Sequence, residues 1–365
     1  MRDVVAPFVA TRAALLAVAL TAVALIAPGR TWCAPHCVLS SVPLLNALTR
    51  WDGGAYLSVA RDGYSFPPDA QSNVAFAPLL PLLMRGLAQL TGRTDDDALI
   101  AAGLVVVNLA LLVALVYLVA LGRSEVGDAG ARRAALYLLV FPATVFLSAL
   151  YGESLFLAGA CGAMVEARHG RWWRAGALGA LGALARPFGF VMAVPLAVEM
   201  FLARKGGRIR RVDALAATLP VVALAAWQAY LWRLFGDPFV YLAAQRTFER
   251  EPATPIGAIA DLFDPRVYGD PWLVAGSVIG MTALVALSWR LLRPSTATAG
   301  TVLLVATASS GTLVSFPRYA LALFPAFLVL GALGAHRGVH LGYLIAAGIL
   351  GVLLTAMFAS WYWVA

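Results

Sequence analysis

From Ala98 to Gly122 the chain runs for 25 residues without one charged side chain. An α-helix of about 20 apolar residues is what crosses the hydrocarbon core of a bilayer. Further apolar runs of spanning length lie near 8–27, 213–234, 272–292, 297–316, 319–335 and 340–363. Hydrophobic residues make up 61% of the 365 and charged ones 13%, against roughly 50% and 25% in soluble domains. No water-soluble core hides that much apolar surface, so the bilayer is the main solvent. The expected fold is all-α: a polytopic helical membrane protein, one domain over 1–365.

Charge decides how the chain is threaded. Arginine and lysine concentrate in cytoplasmic loops of membrane proteins. The turn 168–174 carries Arg168, Arg171 and Arg174, and the stretch 204–211 carries Arg204, Lys205, Arg208, Arg210 and Arg211. Both are therefore expected inside. A single helix over 175–202 would separate them, so the polar breaks at Tyr151-Gly152-Glu153 and Arg186-Pro187-Phe188-Gly189 are read as outer turns between short helices. The result is about eleven spans with the N-terminus inside and long outer loops at about 28–97 and 235–271. Most of the 27 basic residues then fall inside and most of the 19 acidic ones outside. The apolar stretch Val74–Leu90 holds Pro78, Pro81 and Arg85 and is read as an interfacial or re-entrant helix. The apolar N-terminus, with Arg2 and Arg12, is read as a retained first helix rather than a cleaved signal.

The net charge of +8 reads as cytoplasmic loops touching anionic membrane lipid, with no nucleic-acid partner. Cys161 lies in an apolar run and reads as a small core residue. Cys33 and Cys37 flank His36 in the first loop; a disulfide or free thiols fits better than three metal ligands crowded into five residues. No metal is expected, and no cofactor.

This threading gathers four polar clusters on the outer side: Arg50-Trp51-Asp52, Tyr151-Gly152-Glu153, Arg186-Pro187 and Pro317-Arg318-Tyr319. Ionisable groups near a bilayer are costly to place and so are functional candidates. Asp52 reads either as a functional carboxylate or as the cap of a helix over Gly53–Arg61. Glu153 reads as a site residue or as a helix-start carboxylate. Arg186 and Arg318 either grip a phosphate with a bidentate guanidinium or reach up to lipid headgroups. Loop 235–271, with Tyr241, Phe248, Phe263 and Tyr268, either caps a sugar cleft or is a folded connector. The chain has no P-loop, no GxGxxG opening a helix and no His-Glu zinc motif. Nucleotide sugars are absent from an outer face, so a sugar-handling enzyme there would draw on a lipid-linked donor.

The outer motifs resemble a known signature. Arg-Trp-Asp-Gly-Gly-Ala-Tyr-Leu-Ser-Val-Ala-Arg-Asp-Gly-Tyr (50–64) with Asn-Val-Ala-Phe-Ala-Pro-Leu-Leu-Pro-Leu (73–82) looks like the first block of the PIG-V-type mannosyltransferases, relatives of the enzyme adding the second mannose to GPI anchors. Phe141–Leu155, Ala185-Arg186-Pro187 and Phe316-Pro317-Arg318-Tyr319 resemble three later blocks, in order. Two positions depart: paired aromatics are common where Phe76-Ala77 stands, and serine is usual at Gly152. The resemblance implies a GT-C architecture, a polyprenyl-phosphate-mannose donor, inversion at the sugar carbon and no required metal. It carries Asp52 over as the catalytic residue.

The expectation is a hexosyltransferase, with mannose the sugar implied, in a bacterial plasma membrane with its site on the extracytoplasmic face. Arg186 and Arg318 would bind the donor phosphate, and Arg50, Trp51, Tyr151, Glu153 and Tyr319 would bind substrate. The acceptor would be a lipid-linked glycan or glycolipid. A transporter or flippase for lipid-linked sugars is the rival, and it would place its ionisable groups near the midplane between inverted repeats.

Overall fold

The computed structural model describes residues 2–29, 38–67, 71–204, 210–248, 254, 257, 271–310 and 312–364. Cys33, His36, Cys37, Phe263 and Tyr268 lie outside them. The described residues contain helices and no strand. Helix α1 (Arg2–Leu25) is followed by three helices in the expected first loop: the short α2 (Pro43–Ala47), α3 (Asp52–Asp62) and α4 (Leu79–Leu90). At 12 residues, α4 extends only about 18 Å, too short to cross a bilayer. It packs against the next and longest helix, α5 (Asp96–Leu139).

A straight helix of 44 residues would reach about 66 Å, twice a bilayer's hydrocarbon core. Instead α5 folds at Gly127, whose φ of 74° and ψ of 170° leave the helical region. The first arm covers the charge-free run, and the second returns toward Leu139. There the helix ends, a 3₁₀ turn runs over Thr144–Leu147, and α6 (Glu153–Arg168) begins.

Arg12, half-way along α1 and 6% exposed, closes this gap. Its guanidinium donates to the Leu139 carbonyl at 2.7 Å, to Thr144 Oγ1 at 2.9 Å and to Ser148 Oγ at 3.1 Å. Carbonyls left open at a helix end inside a membrane need such a donor, and the negative end of the helix dipole favours a cation there. Arg12 is thus a buried cap rather than a topogenic charge at the membrane surface.

The region 134–203 forms the short helices that the arginine-bearing turns require. After α6 come α7 (Trp172–Ala185), a 3₁₀ turn over Pro187–Met192, and α8 (Ala193–Ala203). The chain continues through a 3₁₀ segment Arg211–Thr218 into α9 (Leu219–Phe235), α10 (Val240–Arg246), α11 (Pro271–Leu291) and α12 (Pro294–Ala308). It ends with the four-residue α13 (Phe316–Tyr319), α14 (Phe324–Leu333) and α15 (Arg337–Ala359).

The span count comes out lower than eleven when judged by length. Five helical segments among the described residues are long and apolar enough to cross: Asp3–Leu25, Asp96–Leu139, Arg211–Phe235, Trp272–Leu291 and Arg337–Ala359. A sixth arises if Phe316–Ala322 and Phe324–Leu333 are one span, but they meet at 79°. The expected continuous helix over 319–335 is therefore broken at Leu323, just before Pro325, and the expected helix over 297–316 stops at Ala308. These breaks lower the count, and the short α13 within them holds Arg318.

At the other end of the bundle a neutral network joins four elements. Arg168 pairs with Glu125 and donates to Thr296 Oγ1 at 2.8 Å, while Arg293 pairs with Glu199 at 2.8 Å. The Arg293 amide donates to Glu125 at 2.7 Å, and Ser295 and Thr296 donate to Glu199 and Glu125 at 2.5 Å. The elbow of α5, the end of α6, α8 and the start of α12 are fastened there.

Candidate active site

The site is assembled at the broken helices. Asp52 opens α3 directly after Trp51, whose φ of 52° and ψ of −119° turn the chain sharply. The cap position belongs to Trp51, which makes no side-chain cap bond. The Asp52 carboxylate turns instead to Arg318, whose Nη1 lies 2.6 Å from Oδ2 across 266 residues of sequence.

Glu153 is the first residue of α6, where a carboxylate suits the positive end of the helix. It also faces two arginines: Glu153 Oε1 lies 3.4 Å from Arg318 Nε and 3.3 Å from Arg186 Nη1. Arg186 sits in the extended residue between α7 and the following 3₁₀ turn. Gly152 makes this meeting possible. A Cβ at 152 would lie 2.7 Å from the Ala185 carbonyl oxygen and 3.3 Å from Arg186 Cδ. A serine there would collide with the segment that delivers Arg186.

The four groups form a chain, Asp52–Arg318–Glu153–Arg186, whose formal charges cancel. Their side chains are 10%, 1%, 5% and 9% exposed. Neither arginine reaches out to headgroups in this arrangement; protein groups surround both. The Tyr319 ring lies between the two guanidiniums, 5.3 Å from Arg318 Cζ and 5.2 Å from Arg186 Cζ. Phe146 and Tyr151 complete an aromatic collar on Arg318, and Phe188 lies 5.4 Å from Arg186 Cζ. Both Glu153 oxygens and the Nε atoms of Arg186 and Arg318 are buried with no hydrogen bond in the protein. Buried charges ordinarily saturate their hydrogen bonds; here Glu153 is held to the two arginines by ion pairing at 3.3–3.4 Å.

A cavity of about 450 Å³ opens on these charges. Asp52, Arg186, Arg318 and Tyr319 line it. Tyr56 and Phe76, Leu224 and Gln228 of α9, Tyr241 and Gln245 of α10, and Thr307 and Ser310 also line it. Burial pushes the Tyr56 hydroxyl up to about 12; Asp52 and Glu153 push the same way, and Arg186 and Arg318 oppose them. The phenol therefore stays protonated at neutral pH and offers a hydrogen bond.

Of the residues singled out in the sequence, Asp52, Arg186, Tyr241, Arg318 and Tyr319 line the cavity and Glu153 stands behind both arginines. Tyr151, Arg50 and Trp51 point elsewhere. Tyr151 lies under Arg318 and donates to the Arg50 carbonyl at 3.1 Å. Arg50 Nε donates to the Ala359 carbonyl at 3.0 Å, and its guanidinium covers the Trp361 ring at 4.9 Å. Trp51 packs against Trp361 and Trp363. Tyr56, Phe188, Gln228, Gln245 and Ser310 had escaped notice. Gln228 carried a usable signal, as a lone amide in the apolar run 213–234. Among the described residues no three His, Cys, Asp or Glu side chains converge.

Similarity to known structures fixes the architecture. ArnT from Cupriavidus metallidurans, solved bound to undecaprenyl phosphate, superposes with a TM-score of 0.53 at 16% identity, over 94% of this chain and 63% of that one. The apo oligosaccharyltransferase of Archaeoglobus fulgidus gives 0.50 at 14% identity, over 96% and 56%. With its apolar helices, the chain is a multi-pass membrane protein of the GT-C fold.

Sequence comparison narrows this. The profile of the family Mannosyltransferase (PIG-V) matches residues 10–204, and the chain belongs to that family. GPI alpha-1,6-mannosyltransferase 2 of Mus musculus is 34% identical over 158 residues, 40% of this chain and 30% of the mouse protein. The Rattus norvegicus protein is 36% identical over 156 residues, with the same coverage. The chain thus matches under a third of these relatives' length.

Proposed function

We propose that the chain transfers a hexose, mannose being the sugar its family favours, from a polyprenyl-phosphate donor to a lipid- or glycan-linked acceptor, with inversion. The reaction would take place at the extracytoplasmic face of a bacterial plasma membrane. One observation carries this reading: a carboxylate, Asp52, held 2.6 Å from an arginine in the lining of a cavity that a second arginine also lines. That set supplies both a base and a binder for a departing phosphate.

The acceptor hydroxyl attacks the anomeric carbon from the face opposite the phosphate. The new carbon–oxygen bond forms as the sugar–phosphate bond breaks, and Asp52 takes the hydroxyl proton. Negative charge collects on the phosphate, where guanidinium groups already in place stabilise it at little reorganisation cost. Arg318 holds Asp52 at 2.6 Å. An arriving phosphate competes for Arg318 and loosens its grip on the carboxylate, so the base is freed when the donor is present. Glu153, behind the arginines, keeps two buried cations compensated before the donor arrives. The apolar side of the cavity, with Leu224, Phe239 and Leu242, suits the first units of a polyprenyl tail.

Purified protein in liposomes, given polyprenyl-phosphate-[³H]mannose and a bacterial lipid extract, is expected to move label into a new glycolipid, while labelled nucleotide sugar alone yields none. Labelled donor that crosses the bilayer without a new glycosidic bond would establish the flippase instead.

A further inference from the structure

We infer that the segment after α15, residues 359–363, is a latch that holds Trp51 in a strained backbone conformation and so sets where Asp52 presents its carboxylate. Arg50 and Trp51 then act as positioning residues, not as ligands of the substrate. The inference rests on Asp52 being the proposed base.

Among the described residues only two that are not glycine have a positive φ, Trp51 at 52° and Trp361 at 63°. Such a conformation costs of order 1–3 kcal/mol and persists only where the surroundings impose it. The Gly53 amide donates to the Arg50 carbonyl at 2.9 Å, closing a four-residue turn with Trp51 second and Asp52 third. Torsions of 52° and −119° at the second position match a type II′ turn, near +60° and −120°, where glycine is the ordinary occupant. The next peptide carries Asp52, so the direction of its carboxylate follows from these two angles.

The strained turn is held from two sides. On one side the Trp51 ring meets Trp363 edge-on at 5.0 Å and Trp361 at 5.7 Å. Arg50 Nε donates to the Ala359 carbonyl at 3.0 Å and its guanidinium lies 4.9 Å over Trp361. The same segment is tied to the end of α1, where the Gly29 amide donates to the Ser360 carbonyl at 2.9 Å. On the other side the Tyr151 hydroxyl donates at 3.1 Å to the Arg50 carbonyl that closes the turn. The Trp51 indole N–H is buried with no acceptor, so ring packing rather than the N–H makes the attachment. A glycine would form this turn freely. Tryptophan brings the strain and also the ring by which the C-terminal segment imposes it.

Four variants are compared by steady-state transfer: Trp363→Ala, Trp51→Ala, Trp51→Gly and the double variant Trp51→Gly with Trp363→Ala. Trp363→Ala is expected to lower kcat about tenfold with donor KM little changed, because the base moves while the phosphate site stays. Trp51→Ala, which keeps the φ penalty and loses the ring, should fall at least as far. Trp51→Gly removes more side chain yet is expected to be the better enzyme, within a few-fold of wild type. Adding Trp363→Ala to it should change nothing further. A role in packing alone predicts glycine no better than alanine, and that order would overturn the latch. So would wild-type kcat in Trp363→Ala. If Trp51→Ala fails to fold, the Trp363→Ala and Trp51→Gly pair still decides. Asp52→Asn is run alongside: full activity there refutes the base, whereas loss of activity with no rescue by glycine refutes only the latch.

Discussion

Replacing Arg318 by lysine preserves its charge and removes its shape. The guanidinium reaches Asp52 through Nη1 at 2.6 Å and faces Glu153 through Nε at 3.4 Å, inside a collar of Phe146, Tyr151 and Tyr319. At 1% exposure it has no solvent to fall back on. An ammonium is a point charge and cannot present two parallel N–H groups to a phosphate while meeting both carboxylates. Losing one charge-assisted hydrogen bond is worth about 1.5–3 kcal/mol, and losing one fixed donor to developing charge costs about 10²–10³ in rate. Arg318→Lys is therefore expected to lower kcat/KM by about two to three orders of magnitude, with the larger share in kcat because the phosphate gains charge as it leaves. The assay is transfer from radiolabelled polyprenyl-phosphate-mannose in detergent, with a thermal melt to confirm that the variant is folded. A folded variant within threefold of wild type would show that the fork is not used on phosphate.

Glu153→Gln takes from Arg186 its carboxylate partner and leaves Arg318 with Asp52. Breaking a buried pair from one side costs about 3–5 kcal/mol, so the empty variant should melt lower, and polyprenyl phosphate should raise its melting temperature more than it raises that of wild type. An equal rise in both would remove Glu153 as the placeholder for the anion. Gly152→Ser puts a Cβ 2.7 Å from the Ala185 carbonyl oxygen; overpacking of this kind costs about 1–3 kcal/mol, and transfer should fall with the melting temperature, while an unchanged melt would contradict the close approach. With Cys33 and Cys37 replaced by serine, a membrane-impermeant maleimide should label Ser65→Cys in intact cells and leave Arg210→Cys unlabelled. The reverse pattern would put the site on the cytoplasmic side, away from a lipid-linked donor.

Much of the fold could be read from one physical fact, that lipid tolerates few charges. It located the long helices, and the arginines at 168–174 and 204–211 located the breaks before Glu153 and at Arg186. What escaped were features set by contacts rather than by hydropathy. The bend at Gly127 lies in a polar stretch that hydropathy reads only as a loop. The cut at Leu323 falls within an unbroken apolar run. Arg12 looked like an ordinary N-terminal charge, because the carbonyls it caps belong to residues 139 and 144.

The site was legible as a list of charges and not as a network. Asp52 and Arg318 are 266 residues apart, and no local pattern says that they touch. Arg50 and Trp51 sit in the same short motif as Asp52 and were grouped with it. Their side chains pack toward the C-terminal segment, a direction that depends on the unusual torsions at Trp51. Tyr56 and Phe76 lay within quoted motifs without any charge to draw attention.

The account stands most directly on Asp52→Asn, which keeps the size of the side chain and removes the base. Measured with polyprenyl-phosphate-mannose and acceptor lipid, at normal protein level and normal melting behaviour, transfer is expected to fall to background while polyprenyl phosphate still binds through Arg186 and Arg318. Transfer at the wild-type rate in that variant would contradict the assignment of Asp52 as the base.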